Sequence, residues 1–240
     1  IRKGKIMEQK RTGAIVLAGG KGRRMNCKIQ KQYLTLADKP LILYSLEAFE
    51  QSPIDEIVLV VGAKEQESVC QNIIPLYKFQ KITAVVEGGQ ERYHSVYAGL
   101  KALQNCDYVL IHDGARPLLT DAIICRAIQG AIDYQACVVG MPVKDTIKES
   151  DSTGFAVRTP DRTRLWQIQT PQAFAYPLIR SAYDWLMQDE SHQNGITDDA
   201  MVVERYGGPT IKLVEGSYAN IKVTTPEDMA VAMALLKGWG

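Results

Sequence analysis

The chain has 240 residues, of which 46% are hydrophobic and 23% charged, and its 28 Lys and Arg against 27 Asp and Glu give a net charge of +1. A chain of this size can bury a substantial core, and this composition excludes wholesale disorder. The balanced charge excludes a general binder of nucleic acid or membrane surfaces, because nothing in the total field attracts polyanions.

The five cysteines are scattered and odd in number, and no CxxC pair occurs, which argues against a zinc site and a disulfide framework. The sequence holds no run of 18 apolar residues, so we expect no membrane span and a soluble, cytoplasmic protein. Residues 1–6 precede Met7. We take Met7 as the natural start, the six residues as a cloning remnant, and residues 7–240 as one domain.

Apolar runs of strand length alternate with stretches of helical length along the first part of the chain. The runs are Ala14–Ala18, Ile57–Val61, Tyr108–Ile111 and Cys137–Gly140. The helical stretches between them are Pro40–Glu50, Glu65–Tyr77, Glu91–Leu103 and Asp121–Tyr134. Strands that are apolar on both faces are typical of parallel sheets covered by helices. The alternation predicts an α/β fold with a doubly wound sheet and right-handed crossovers.

This alternation stops between residues 144 and 169, where polar and charged residues surround a turn at Ser150–Gly154. The segment has too few apolar side chains to pack alone. We therefore predict a protruding β-arm that packs on another surface, such as a second subunit. The elements predicted after the arm are helices Tyr176–Gln188 and Asp198–Tyr206, strand pieces Ile211–Val214 and Asn220–Val223, and a final helix from Pro226.

A glycine-rich loop, Gly19–Met25, follows the first strand directly. Glycines at such a turn let backbone amides approach a phosphate, and Arg24 with its basic neighbours adds positive charge. The spacing lacks the third glycine of a dinucleotide-binding turn and the Gly-Lys-Ser/Thr of a Walker loop, so it favours triphosphate binding. Lys31, just downstream, could reach the same phosphates, although a lysine in a polar loop is more often simply solvated.

Two further strands end in residues suited to a ligand. Gly88 and Gly89 follow one strand and precede the helical stretch Glu91–Leu103, which holds Ser95, a place where a base could be recognised; the alternative is a plain tight turn. Asp113 ends the strand that begins at Tyr108, where a carboxylate suits Mg²⁺ or its water shell, and Arg116 could bind a phosphate. The alternative for Asp113 is a helix cap or loop anchor, and we interpret His112 as structural.

Polar residues of the arm and the C-terminal part complete the candidates. Those of the arm segment could close over an anionic substrate or form a solvated hairpin face: Lys144, Thr146, Arg162, Arg164 and Thr170. Helix capping accounts for Thr197. Lys222 stands between two apolar residues and needs an anionic partner if it is buried.

Nine segments, in order from about Thr12 to Leu236, resemble the motifs of the 2-C-methyl-D-erythritol 4-phosphate cytidylyltransferase family. They are LAGGKGRRM, KQYL, EGGQERYHSV, HDGARP, PVKDTIK, DRTRLW, QTPQAF, TDDA and NIKVTTPED. The resemblance implies a Rossmann-like, mostly parallel sheet of the nucleotide-diphospho-sugar transferase type and a homodimer joined through the arms. It also implies magnesium-dependent transfer of CMP from CTP to a polyol phosphate in non-mevalonate isoprenoid synthesis.

The same resemblance assigns a role to each matching residue. It implies backbone contacts to CTP from Ala18, Gly19 and Gly20, and contacts to cytidine from Gly89 and Ser95. It makes Arg24, Lys31 and Lys222 the catalytic cations. The residues on the substrate side would be Asp113, Arg116, Thr146, Arg162, Thr170 and Thr197. Asp113 would also contact the metal, directly or through water. Thr146 and Arg162 would reach the substrate bound in the partner subunit.

Three positions depart from the usual family pattern: Gly19, Gln30 and Gln90. None of these departures removes a cation. Three alternatives stay open on the sequence alone. They are a ribitol-5-phosphate cytidylyltransferase, a nucleotide-binding module without turnover, and a dinucleotide-dependent oxidoreductase, which the spacing of the glycine loop disfavours.

Overall fold

The structure is a computed structural model that describes residues 10–20 and 33–238. The strands within these ranges are β1 (Thr12–Ala18), β2 (Thr35–Leu36), β3 (Lys39–Pro40), β4 (Glu56–Val61), β5 (Ile82–Glu87), β6 (Tyr108–Asp113), β7 (Ala136–Pro142), β8 (Glu149–Ser150), β9 (Ala156–Arg158), β10 (Trp166–Ala175) and β11 (Lys212–Glu215). The α-helices are α1 (Leu41–Gln51), α2 (Gln66–Asn72), α3 (Ile74–Tyr77), α4 (Arg92–Ala102), α5 (Asp121–Tyr134), α6 (Tyr176–Leu186), α7 (Asp199–Tyr206) and α8 (Pro226–Lys237).

The central sheet has the strand order β11-β7-β10-β6-β1-β4-β5 among the described residues. Strand β10 runs antiparallel to both of its neighbours, and the other pairs are parallel. The predicted α/β fold with a mostly parallel sheet is thereby confirmed.

Helices cover both faces of this sheet, as continuous apolar strands require. All residues of β4 are buried, and those from Ile57 to Val61 alternate between two core clusters. Leu59 packs in the cluster that includes Phe49 of α1, whereas Val60 packs in the cluster that includes Leu100 of α4. No helix in the described ranges is both long enough and apolar enough to span a bilayer.

Two predicted elements differ from the structure. The stretch Glu65–Tyr77 is divided into α2 and α3, with Pro75 in the first turn of α3, where its missing N–H costs no helical hydrogen bond. The predicted strand piece Asn220–Val223 is wrong, because these residues have no regular secondary structure. The Val223 N–H donates to the carbonyl of Ala115 at 2.8 Å instead of to a sheet neighbour.

The arm segment contains the short antiparallel pair β8 and β9, whose residues are exposed. Phe155 and Val157, near its tip, are 73% and 62% exposed. At its base the Lys144 ammonium lies 3.4 Å from the centre of the Tyr218 ring. Residues 166–169, the end of the predicted arm range, lie in β10 of the central sheet, so the protruding part ends before Trp166.

Candidate active site

The carboxyl ends of four parallel strands meet at one edge of the sheet. Ala18 of β1 is level with Val61 of β4, which is level with Glu87 of β5, and Leu17 is level with Asp113 of β6. The loops that leave this edge therefore start side by side, and ligands of open α/β sheets bind at such an edge. Ala18, Gly19 and Gly20 lie there, whereas Arg24 and Lys31 lie outside the described residues.

The loop between β5 and α4 brings Gly89 and Ser95 together. The Gly89 N–H donates to Ser95 Oγ at 3.2 Å, and this hydroxyl donates to the Glu91 carbonyl at 3.3 Å. A Cβ on Gly88 would lie 2.5 Å from Ser95 Oγ, and one on Gly89 would lie 2.3 Å from His94 Cβ. Glycine is required at both positions for this close packing of the loop against the start of α4.

Asp113 lies between two cations. Lys222 Nζ is 2.7 Å from its Oδ2, and Arg92 Nε is 3.3 Å from its Oδ1. Burial by itself would raise the pKa of Asp113, but the charges of Arg92 and Lys222 hold this pKa well below its usual range. Asp113 is therefore ionised, and it is the anionic partner of Lys222. Lys222 itself is exposed, so the burial that would have made this partner necessary is not found.

The backbone of Asp113 is fixed by a chain of buried hydrogen bonds. Its N–H donates to Thr170 Oγ1 at 3.0 Å, and this oxygen lies 3.1 Å from His112 Nδ1. The Arg116 carbonyl lies 3.4 Å from His112 Nε2 and can only accept, which places the imidazole proton on Nε2 and leaves Nδ1 to accept from the Thr170 hydroxyl. Burial lowers the pKa of His112 to about 3, so the ring is neutral and structural.

Arg116 and Lys222 line one cavity of about 260 Å³, together with Gln167, Gln169, Tyr218, Asn220 and the acidic Asp228. Arg116 is buried and donates from Nη1 to the Asn220 carbonyl at 2.8 Å. Its Nε has no hydrogen-bond partner among the described residues, and burial lowers its pKa. A buried guanidinium and an ammonium in one cavity are suited to an anionic ligand.

Arg92 and Asp199 form the strongest ion pair of this region, and the sequence interpretation missed it. The guanidinium donates from Nη1 and Nη2 to the two carboxylate oxygens of Asp199 at 2.8 and 2.7 Å. Asp199 is fully buried and also accepts from the Tyr183 hydroxyl at 2.6 Å. Both partners lie in quoted motifs, ERYHSV and TDDA, but neither motif indicates that they pair.

Within the described residues, three predicted substrate residues, Thr146, Arg162 and Thr197, have no hydrogen bond to Asp113. The Thr197 hydroxyl lies 3.7 Å from the Met201 sulfur, and the capping interpretation of Thr197 is wrong, because Asp198 caps α7 by accepting from the Met201 N–H. Thr146 and Arg162 are exposed in the arm segment, and Arg162 donates to the Lys144 carbonyl at 3.0 Å. Their roles stay predictions.

Within the described residues, no group of three or more His, Cys, Asp and Glu is arranged to hold a metal ion. Both oxygens of Asp113 face a cation. Mg²⁺ at phosphate-transfer sites keeps several waters and uses few carboxylates besides the substrate phosphates, so Asp113 fits as a contributor through water.

The mostly parallel sheet, with glycine loops and a cationic cavity at its carboxyl edge, places the protein in the class of Rossmann-like α/β nucleotidyltransferases. The model of the 2-C-methyl-D-erythritol 4-phosphate cytidylyltransferase family matches residues 12–238, and the chain belongs to this family.

Individual relatives agree with this assignment. The enzyme of that name from Lachnospira eligens is 52% identical over 226 residues, which are 94% of this chain and 99% of the relative. Its counterpart from Lachnoclostridium phytofermentans is 50% identical over 93% of this chain and 95% of the relative. The crystal structure of 4-diphosphocytidyl-2C-methyl-D-erythritol synthase from Anaerococcus prevotii is similar with a TM-score of 0.83, at 32% identity, covering 95% of this chain and 96% of that one.

Proposed function

We propose that the protein transfers the CMP group of CTP to 2-C-methyl-D-erythritol 4-phosphate, which yields 4-diphosphocytidyl-2-C-methyl-D-erythritol and pyrophosphate. The observation that carries this proposal is the cavity lined by Arg116 and Lys222, with Lys222 held at Asp113 beside the end of β1. A cavity with two cations suits a reaction in which two phosphate-bearing substrates meet. Family membership over residues 12–238 selects the polyol phosphate, and no observation favours ribitol 5-phosphate.

The chemistry follows from the charges of the substrates. An oxygen of the 4-phosphate attacks the α-phosphorus of CTP, and the bond from that phosphorus to the pyrophosphate oxygen breaks. A phosphate monoester is largely ionised near neutral pH, so the reaction needs no strong general base. Catalysis then depends on holding two anions that repel each other in line and on stabilising charge at the α-phosphorus.

The described residues supply part of this stabilisation. Lys222 lines the cavity, and its Nζ forms an ion pair with Asp113, so the ammonium is held in position before a ligand arrives. Arg116 offers an Nε–H without a partner among the described residues. Arg24 and Lys31 stay the predicted cations of the triphosphate. Ala18, Gly19 and Gly20 stay the predicted backbone contacts to CTP, and Gly89 and Ser95 the predicted contacts to its cytidine.

We further propose that Mg²⁺ enters with the triphosphate, with Asp113 as its protein contact through water. When bound, the ion would neutralise negative charge on the phosphates. Asp113 supports this role because its carboxylate is ionised and, although the residue is buried, 12% of its side chain is exposed.

A homodimer in the cytoplasm completes the proposal. The exposed apolar side chains of Phe155 and Val157 support association through the arm, since such side chains favour a covered surface. The exposure of Thr146 and Arg162 agrees with contacts to a substrate bound in the partner subunit. The free thiols of Cys70, Cys106, Cys125 and Cys137 are consistent with a reducing compartment.

The test is pyrophosphate release with CTP and Mg²⁺, with methylerythritol phosphate and ribitol 5-phosphate offered separately. We expect turnover with the first substrate and at most a trace with the second. Turnover confined to ribitol 5-phosphate would move the protein to that sister activity. Nucleotide binding without turnover of either substrate would contradict the proposal.

A further inference from the structure

Arg92 joins three elements of the fold, α4, β6 and α7. It is the first residue of α4, directly after the Gly88–Gly89 loop. Its guanidinium contacts Asp113 at the end of β6 and Asp199 at the start of α7. Asp199 in turn lies two residues after Thr197. One side chain thus connects the predicted cytidine loop, the carboxylate that holds Lys222, and the predicted substrate side.

The geometry of these contacts depends on a guanidinium. Nη1 and Nη2 donate to the two oxygens of Asp199, while Nε points to Oδ1 of Asp113 at 3.3 Å. A lysine ammonium is a single point of charge and cannot reproduce the paired bonds and the third contact together. Asp199 is fully buried, so its charge requires this partner.

The position of Arg92 also determines how the Asp113 carboxylate is shared between Arg92 and Lys222. Arg92 contacts Oδ1 and Lys222 contacts Oδ2, so each carboxylate oxygen faces one cation. Without Arg92, both oxygens would be open to the Lys222 ammonium, which would be held more tightly and with a less defined orientation. The position of Lys222 in the cavity therefore depends on a residue that does not line it.

We propose that Arg92 is a positioning residue for CMP transfer: paired with Asp199, it fixes the Asp113 carboxylate and through it the Lys222 ammonium. This inference rests on the proposed function. It concerns residues that no motif role includes, since Arg92 and Asp199 are absent from the catalytic and binding residues that the sequence predicted.

The decisive comparison is between Arg92→Gln and the double variant Arg92→Gln/Asp199→Asn. The single variant leaves a buried carboxylate without its cation, whereas the double variant replaces the ion pair by a neutral pair of similar shape. Arg92→Lys tests whether charge without the guanidinium geometry is sufficient. Arg180→Gln is the matched control, because it removes an arginine–aspartate pair with Asp184 elsewhere on the surface.

The measurements are kcat, the two KM values and the thermal unfolding midpoint of each full-length variant. We expect Arg92→Gln to lower kcat about 10- to 100-fold, with smaller changes in KM, because misplacement of a catalytic group has effects of this size. The double variant should regain unfolding temperature but not kcat, since Asp113 still lacks its second cation. Arg92→Lys should be intermediate, and Arg180→Gln should match the wild type.

The inference is overturned if Arg92→Gln keeps kcat within about twofold, or if kcat returns in the double variant together with thermal stability. If Arg92→Gln fails to fold, the kcat values of the double variant and of Arg92→Lys test the inference instead, and a kcat within about twofold of the wild type in either overturns it. A wild-type protein without turnover on either polyol phosphate would refute the proposed function instead. That outcome is distinguishable, because it precedes any comparison of variants.

Discussion

The Lys222 ammonium lies 2.7 Å from Oδ2 of Asp113 and so joins the irregular segment after β11 to the end of the central strand β6. The pairing is supported by backbone contact, since the Val223 N–H donates to the carbonyl of Ala115. Because Arg92 shares the same carboxylate, the three residues form a small charged cluster beside the cavity.

Replacement of Lys222 by Met should lower kcat by about two orders of magnitude, the scale found when one donor to a transition state is lost. Steady-state pyrophosphate release measures this. Lys212→Met is a matched control, because the Lys212 ammonium lies over the Tyr134 ring on the edge strand β11. A Lys222→Met enzyme with nearly wild-type kcat would refute the role of this lysine.

Asp113 should be ionised throughout the usual assay range, because Arg92 and Lys222 hold its pKa well below the ordinary value. We therefore expect no loss of turnover from Asp113 protonation between about pH 5 and pH 9. Asp113→Asn should lower kcat about 10-fold or more without changing the shape of the pH profile. An acidic decline that the wild type shows and Asp113→Asn lacks would contradict this prediction.

Neutral His112 should make stability depend on pH. Burial lowers its folded-state pKa to about 3, whereas the unfolded value is about 6.5, so between these values the unfolded chain binds more protons. The contribution to the free energy of unfolding is complete above pH 6.5 and is lost as pH falls, by up to about 1.4 kcal/mol per pH unit.

Denaturant unfolding of the wild type and of His112→Asn over this pH range measures the effect. We expect a shallower pH dependence in the variant, which lacks the imidazole. Parallel curves would contradict the prediction, as would an NMR titration showing that the His112 ring of the folded wild type takes up a proton near pH 6.

Acidic substitutions at the arm tip should weaken self-association. Phe155→Asp and Val157→Asp place charge on side chains that are exposed in one chain, so the fold should persist while the dimer interface is lost. Sedimentation at micromolar concentration should show a lower mass than for the wild type. Leu76→Asp is the control, because Leu76 is 71% exposed in α3. A wild type that is already monomeric would refute association through the arm.

Shared sites should appear as complementation between inactive variants. Mixing Thr146→Ala with Arg24→Ala gives hybrid dimers in which one site keeps both wild-type residues. At full subunit exchange, about a quarter of the sites should be intact, by the statistics of a two-fold dimer. Absence of recovery despite exchange confirmed by mass spectrometry would show that the arm does not complete its neighbour's site.

Local patterns in the sequence were sufficient for most of the framework. The continuous apolar runs predicted the buried parallel strands, because a strand covered on both faces needs apolar residues at every position. The glycines after β5 predicted either a site for a base or a plain tight turn, and the structure leaves no room for a Cβ at Gly88 or Gly89. Thr120, directly before α5, caps this helix, and its side chain accepts from Ile123 N–H. Each of these features depends on neighbours along the chain.

The charge pairing was decided only by the tertiary structure. Arg92, Asp113, Asp199 and Lys222 come from α4, β6, α7 and the segment after β11, and no periodicity relates their positions. Coulomb attraction and the cost of an unpaired buried charge depend on distance in space, so partners cannot be assigned before the elements pack. The sequence thus determined which residues were available at the carboxyl edge, and packing determined that Arg92 is shared between two aspartates.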